Sequence, residues 1–292
     1  MKKNNTFKNL EQQINKIRKH NRQGSKLTKQ RYYESTKRFS RFIGQKFGTQ
    51  KFTNISSKHL AKYVEHLKNE GRSMAHIKTE LSAIRFFHDK TSDPKYQLGD
   101  NSNFNLEKRD IIRGDINKAW NNQEFNRYKE LCRERGQIRN EATATLARNE
   151  GLRIHETLKI DKKQAQKAIQ ENELMIKGKG GKIRIVPLSS ESKEILQKIT
   201  NNTERGQKLF VAPEEKTHLT IKAIQNHINY NRGKFQDEDR TDHNITFHGL
   251  RHSYAQEEYN KRIEQGKSEL DARLEVSKLL GHERDEVVKI YI

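Results

Sequence analysis

Two short segments alternate in polarity with a period of two, Glu173-Leu174-Met175-Ile176-Lys177 and Lys182-Ile183-Arg184-Ile185-Val186-Pro187, and the run Gly178-Lys179-Gly180-Gly181 joins them. Period two is the mark of a strand, and a glycine-rich connection suits a tight hairpin turn. No other stretch of the chain carries so strong a β signal. Elsewhere the apolar residues return at three- and four-residue steps, which selects helices. The expected fold class is therefore mainly α with a small antiparallel β-sheet (α+β).

The helical pattern is clearest in the first third. Tyr32, Thr36, Phe39, Ile43 and Phe47 form one stripe over residues 28–47. Leu60, Val64 and Leu67 form a second over 57–70, with Gly71 as its stop, and Ser73 caps a third that carries Met74, Ile77, Leu81, Ile84 and Phe87. Leu10, Ile14 and Ile17 add a helix upstream. Residues 1–110 thus read as a basic helical bundle, with the basic segment 1–27 able to serve as a short DNA-binding arm. Turn formers gather over 91–115 and mark a linker. A second domain, 112–292, opens with Asn121 and Asn122 as cap candidates before a helix bearing Phe125, Tyr128 and Leu131. Further helices are expected at 189–200, 219–232, 247–265 and 268–280.

Charge indicates the partner. The chain of 292 residues carries a formal net charge of +21, and residues 1–110 alone hold 25 Lys and Arg against 10 Asp and Glu. Neutralising phosphates releases counterions, so such an excess suits a polyanion, with nucleic acid as the reading. A single cysteine, Cys132, excludes an intrachain disulfide and a thiolate metal cage. The chain contains no P-loop, no H-E-x-x-H and no apolar run of membrane-spanning or signal-peptide length. No cofactor, no metal and no membrane partner is expected, and the reading is a cytoplasmic, nucleoid-associated protein.

Breaking a phosphodiester by direct attack needs a nucleophile, cations for the non-bridging oxygens and a proton for the departing oxygen. The last forty-five residues hold His248-Gly249-Leu250-Arg251, then His282 in Leu279-Leu280-Gly281-His282, then Tyr291. Ionising an ordinary phenol at pH 7 costs roughly 4 kcal/mol. Neighbouring cations and a base offset that cost, which is a reason for His248, Arg251 and His282 to converge near Tyr291. Arginine grips phosphate through a planar fork and stays charged, and Arg153 and Arg251 are placed for it. Lys179, between two glycines at the hairpin tip, reads on its own equally well as a solvated turn residue.

Taken together, Gly151-Leu152-Arg153-Ile154-His155-Glu156, Gly178-Lys179-Gly180, His248-x-x-Arg251, Leu279-Leu280-Gly281-His282 and Tyr291 resemble the five signature boxes of the tyrosine recombinases, or phage integrases. Their order matches, as does the step from His282 to Tyr291. The resemblance covers 112–292 strongly and 1–110, as a core-type DNA-binding domain, more weakly. It implies that Tyr291 attacks the scissile phosphate to give a 3′-phosphotyrosyl bond and a free 5′-hydroxyl. Arg153 and Arg251 would hold the non-bridging oxygens, Lys179 would protonate the leaving oxygen, His248 would act as acid and base toward Tyr291, and His282 would hydrogen-bond the phosphate. Glu156 resembles the acidic residue that supports this geometry. A homotetramer on two DNA sites is implied, with room for accessory DNA-bending proteins, and so is the integration or excision of a mobile element. Members usually continue past the nucleophile into a helix that docks on a neighbour. Here Ile292 alone follows, so Tyr291 is expected to fray.

Three other readings stand beside this one. A type IB topoisomerase-like enzyme shares the chemistry, but the combined boxes favour the recombinase. A catalytically silent DNA-binding regulator would not need the full set from Arg153 to Tyr291. A metal-dependent nuclease would need carboxylates at ligand spacing around His243, His248 and His252, where only Asp242 is near. The charge excess gives one expectation that no fold detail alters: in a salt titration, log affinity for duplex DNA falls by about 0.9 per neutralised phosphate per decade of salt. A nearly flat dependence would contradict a phosphate-gripping surface.

Overall fold

A computed structural model describes residues 2–106, 117–178, 181–240, 244–282 and 284–292. The chain divides into two units, Met1–Arg109 and Asp110–Ile292.

In the first unit α1 (Lys2–His20), α2 (Lys26–Phe47), α3 (Ser57–Asn69) and α4 (Met74–His88) pack into a helical bundle. Ser25 and Ser73 cap α2 and α4 by accepting from Thr28 and His76 backbone N–H groups, and Gly71 stops α3 in the left-handed conformation. Phe39, Ile43, Leu60, Ile77, Leu81 and Ile84 form its core. Glu80 of α4 is buried beneath that surface and accepts from Ser35 Oγ at 2.7 Å and Tyr63 Oη at 3.0 Å, tying three helices together. Leu10 and Ile14 are fully buried, so the helix expected upstream, α1, is a core helix of the bundle. One expectation changes here. Phe104 and Leu106, assigned to the linker, also enter this core, because two large apolar side chains outweigh the turn formers around them. The expected boundary near residue 112 lies outside the described residues.

The second unit contains α5 (Asn122–Glu134), α6 (Ile138–Asn149), α7 (Ile154–Thr157), α8 (Lys162–Glu171), β1 (Glu173–Lys177), β2 (Ile183–Pro187), α9 (Ser190–Asn201), α10 (Thr217–Asn231), α11 (Phe247–Glu264) and α12 (Glu269–Leu279). Asn121 and Glu124 close a capping box that starts α5. α6 packs against α5, α9 and α11, and Ala144, Leu146 and Ala147 are fully buried on it. Sequence periodicity does not show α6, because a helix buried on nearly every side has no polar stripe. α8 is missed for another reason: it is short, and its buried positions are the small Ala165 and Ala168.

β1 and β2 pair antiparallel in the register Leu174↔Val186 and Ile176↔Arg184. Leu174, Ile176 and Val186 face inward, whereas Met175, Ile183 and Ile185 are exposed. Arg184 therefore occupies a core-facing position between apolar neighbours, and what pairs with it decides the local structure.

Gly151, between α6 and α7, has φ +63°, and a Cβ there would collide with the Tyr254 ring. Gly151→Ala is expected to lower unfolding stability by about 2 kcal/mol or more. Chemical denaturation followed by circular dichroism measures this; an unchanged midpoint would contradict the packing described.

Candidate active site

The first wall of the site is the turn into α7. Arg153 is its N-cap and Glu156 its third residue, and the Glu156 carboxylate accepts from the Arg153 backbone N–H at 2.9 Å. One carboxylate thereby both starts the helix and orients the arginine. Glu156 Oε1 also accepts from Arg153 Nη1 at 3.0 Å and Arg184 Nη1 at 3.0 Å, and Oε2 accepts from Arg184 Nη2 at 2.8 Å. Arg251 Nη1 stands 4.0 Å from Oε2. Burial alone would raise this carboxyl, but the hydrogen bonds and charge of Arg184, followed by those of Arg153, overcome it and hold Glu156 at about 2.

α11 contributes His248, Arg251 and His252 from its first turns. Arg251 is fully buried and donates to the backbone carbonyls of Gly151 and Leu280, joining the entry of α7 to the end of α12. Desolvation lowers its guanidinium to about 10, although Tyr291 acts in the opposite direction. Its Nε is buried without a hydrogen-bond partner. His248 keeps an edge open to solvent; partial desolvation, then the charges of Arg251 and Arg153, push its imidazole down.

The Leu279-Leu280-Gly281-His282 run is a helix ending. Gly281 adopts φ +70°, its N–H reaches Lys278 O at 2.9 Å, and the His282 N–H reaches Ser277 O at 2.8 Å. This reverse turn aims the imidazole at Arg153, with His282 Nε2 3.1 Å from Arg153 Nη2. Arginine can only donate, so Nε2 accepts and the ring is neutral with its proton on Nδ1. Desolvation, Arg251 and Arg153 together bring its pKa down to about 4, in agreement with that tautomer.

Tyr291 follows a 3₁₀ turn over Asp285–Ile290 and is 6 % exposed. Its ring centroid lies 4.6 Å from that of His252, 5.9 Å from His248 and 6.4 Å from His282, and Arg251 Cζ stands 5.9 Å from it. The expected fraying is therefore not observed. Tyr254, Val276, Leu280 and Val288 pack with the ring, and Gln256 Nε2 donates to Tyr291 O at 2.7 Å. Arg251 lies beneath Tyr291, and Arg153, with its side chain 24 % exposed, is the one of the two expected arginines that lines the adjoining cleft of about 1020 Å³. Arg184, Lys182, Gly281 and His282 also line that cleft. Lys179, Asp242 and His243 lie outside the described residues. Among the described residues no group of three His, Cys, Asp or Glu side chains could hold a metal ion.

Two family models match this chain: the phage integrase family over residues 121–292, and the phage integrase N-terminal SAM-like domain over 10–98. The chain belongs to the phage integrase family. Among curated proteins, this tyrosine recombinase is similar to tyrosine recombinase XerD of Oceanobacillus iheyensis, at 27 % identity over 260 residues, 83 % of this chain and 79 % of that protein. Solved structures share the fold. A lambda integrase dimer bound to a COC′ core site has a TM-score of 0.66 at 17 % identity, covering 97 % of this chain and 76 % of the other. The Tn1549 transposon integrase in complex with a circular intermediate DNA has a TM-score of 0.63 at 14 % identity, covering 97 % and 94 %. XerH bound to its difH substrate has 0.62 at 22 % identity, covering 97 % and 80 %.

The integrase fold brings Arg153, Glu156, His248, Arg251, His282 and Tyr291 into one neighbourhood. Sequence reading missed Arg184 and Gln256, and named His252 only for the metal-dependent nuclease alternative. Arg184 left a faint signal: counted inward from Val186, the strand period assigns it to the core face. The paired Glu156 has a pH consequence. Its folded pKa is below the ordinary value of 4.5, so its contribution to stability is full above about pH 5 and disappears as pH falls through about 2. That contribution is roughly 2–4 kcal/mol. Glu156→Gln is expected to lower neutral-pH stability and to flatten the acid limb of a stability–pH curve; an unchanged acid limb would contradict the pairing.

Proposed function

We propose that this integrase-family chain cleaves and rejoins duplex DNA at specific sites, with Tyr291 as the nucleophile. The observation that carries the proposal is the convergence of a phenol, two arginines and two histidines, drawn from the α7 turn, α11, the α12 ending and the turn after it. Attack by Tyr291 Oη forms the O–P bond and expels the 5′-oxygen, leaving a 3′-phosphotyrosyl linkage. The phenol proton goes to His248, which is neutral at neutral pH and free to accept it. The family resemblance assigns protonation of the departing oxygen to Lys179. Arg153 takes a non-bridging oxygen from the cleft side. Arg251, whose Nε lacks an acceptor, takes the other once the Tyr291 ring moves off it and onto the phosphorus. His282, released from Arg153, hydrogen-bonds the same phosphate. The covalent link conserves bond energy, so resealing needs no nucleotide hydrolysis.

In this reading residues 1–110 are the helical core-type DNA-binding domain and 112–292 the catalytic domain. The working form is a homotetramer on two DNA sites, assisted by DNA-bending proteins, and the cellular role is integration or excision of a mobile element at nucleoid DNA in the cytoplasm. Among the described residues no helix is long and apolar enough to cross a membrane.

A suicide duplex, nicked near the cleavage site so that religation fails, tests the chemistry. The expected result is a covalent protein–DNA adduct that is absent in Tyr291→Phe and slowed about 10²–10³-fold in Arg153→Ala. Binding without any adduct would favour the silent regulator, and supercoil relaxation without site preference would favour the topoisomerase-like reading.

A further inference from the structure

Arg184 is a charged residue on the inner face of the hairpin, its side chain 7 % exposed, cross-strand from Ile176. A buried arginine is stable only with its charge paired, and Arg184 meets the Glu156 carboxylate through both terminal nitrogens, at 3.0 and 2.8 Å. Its other side backs onto the turn that carries His282: a Cβ at Gly281 would lie 3.1 Å from Arg184 Cδ. One side chain therefore touches both elements that aim groups at the cleft, the α7 turn with Arg153 and the α12 ending with His282.

We infer that Arg184 is a positioning residue for cleavage, which saturates Glu156 from behind so that the Arg153 guanidinium is left free to grip the scissile phosphate. This rests on the cleavage reading proposed above. The geometry gives the reason. Glu156 offers two oxygens, and Arg153 spends one terminal nitrogen, Nη1, and its backbone N–H on them, while Nη2 points away to His282. Arg184 supplies the remaining hydrogen bonds and a full balancing charge. Without it, a buried carboxylate faces Arg153 alone at hydrogen-bond distance, with Arg251 4.0 Å away. Electrostatics in so dry a place draws both arginines onto Glu156 and away from the phosphate. Arg184 borders the cleft, but its side chain is only 7 % exposed and both terminal nitrogens are held by Glu156, so it acts through Arg153.

Phosphate charge separates this role from a merely structural one. Single-turnover cleavage at saturating DNA is to be measured for wild type, Arg184→Met and Arg184→Lys, on a suicide duplex with a normal scissile phosphate. The same series is then run with each methylphosphonate diastereomer, in which one charged oxygen is a methyl group. On the normal duplex Arg184→Met is expected to cut about 10–100-fold more slowly, less than the roughly 10²–10³-fold for loss of an oriented donor because Arg153 itself is still present, with DNA affinity within about threefold of wild type. Arg184→Lys, which keeps the charge but not the fork, falls between. On the diastereomer that lacks the oxygen facing Arg153, the defect shrinks to within about threefold, because that arginine is no longer needed. An equal defect on all duplexes, or a normal rate in Arg184→Met, overturns the assignment. If Arg184→Met does not fold, the Arg184→Lys series decides by the same comparison. Absence of cleavage by the wild type would instead overturn the cleavage reading and this inference with it, whereas wild-type cleavage without the rescue overturns only the role of Arg184.

Discussion

One buried carboxylate organises the catalytic unit. Glu156 has lost its water, and a carboxylate in that position persists only if cations and N–H groups replace every hydrogen bond it gave up. Three structural elements answer that demand: the backbone and side chain of Arg153 at the α7 turn, Arg184 from the hairpin, and Arg251 from α11 at the edge of contact. The result is a patch with two positive charges more than negative, built in a dry place and turned toward a cleft. An apolar residue at 156 would leave Arg184 buried with its charge unpaired. The carboxylate also sets the aim of Arg153.

The second determinant is backbone shape. Gly151 and Gly281 both take left-handed conformations, and both face a large side chain, Tyr254 in one case and Arg184 in the other. Each glycine ends a helix and sends the following functional residue, Arg153 or His282, back across the site. Arg251 then fastens the two turns together through the carbonyls of Gly151 and Leu280. In this resting arrangement the phenol packs on His252 and covers Arg251. On the proposed reading, the nucleophile is thus stored beside His248, His252 and Arg251 and turns its oxygen toward a bound phosphate to react.

Much of this was legible in the sequence, and the remainder was hidden for definable reasons. Helices with one apolar stripe, such as α2, α3 and α4, show themselves by period, and the hairpin shows itself by alternation and glycine. α6 does not, because it is buried on nearly all sides, and the stretch ending in Phe104 and Leu106 reads as a linker because turn formers surround two core residues. Among the site residues, Arg153, His248, Arg251, His282 and Tyr291 stand out because the chemistry requires those types in short boxes. Arg184 sits in a strand whose exposed isoleucines draw attention to the wrong face. That Arg251 lies under Tyr291 is a matter of packing that no spacing in the sequence encodes.

The central claim, that these scattered segments form one phosphodiester-cleaving site with Tyr291 at its centre, is tested most directly by mapping the covalent link itself. After trapping on a nicked duplex, protease and nuclease digestion followed by mass spectrometry identifies the modified residue and the polarity of the attached nucleotide. The account predicts a nucleotide joined through its 3′-phosphate to Tyr291, with a free 5′-hydroxyl on the released strand. A link at any other residue, or one through a 5′-phosphate, would contradict it.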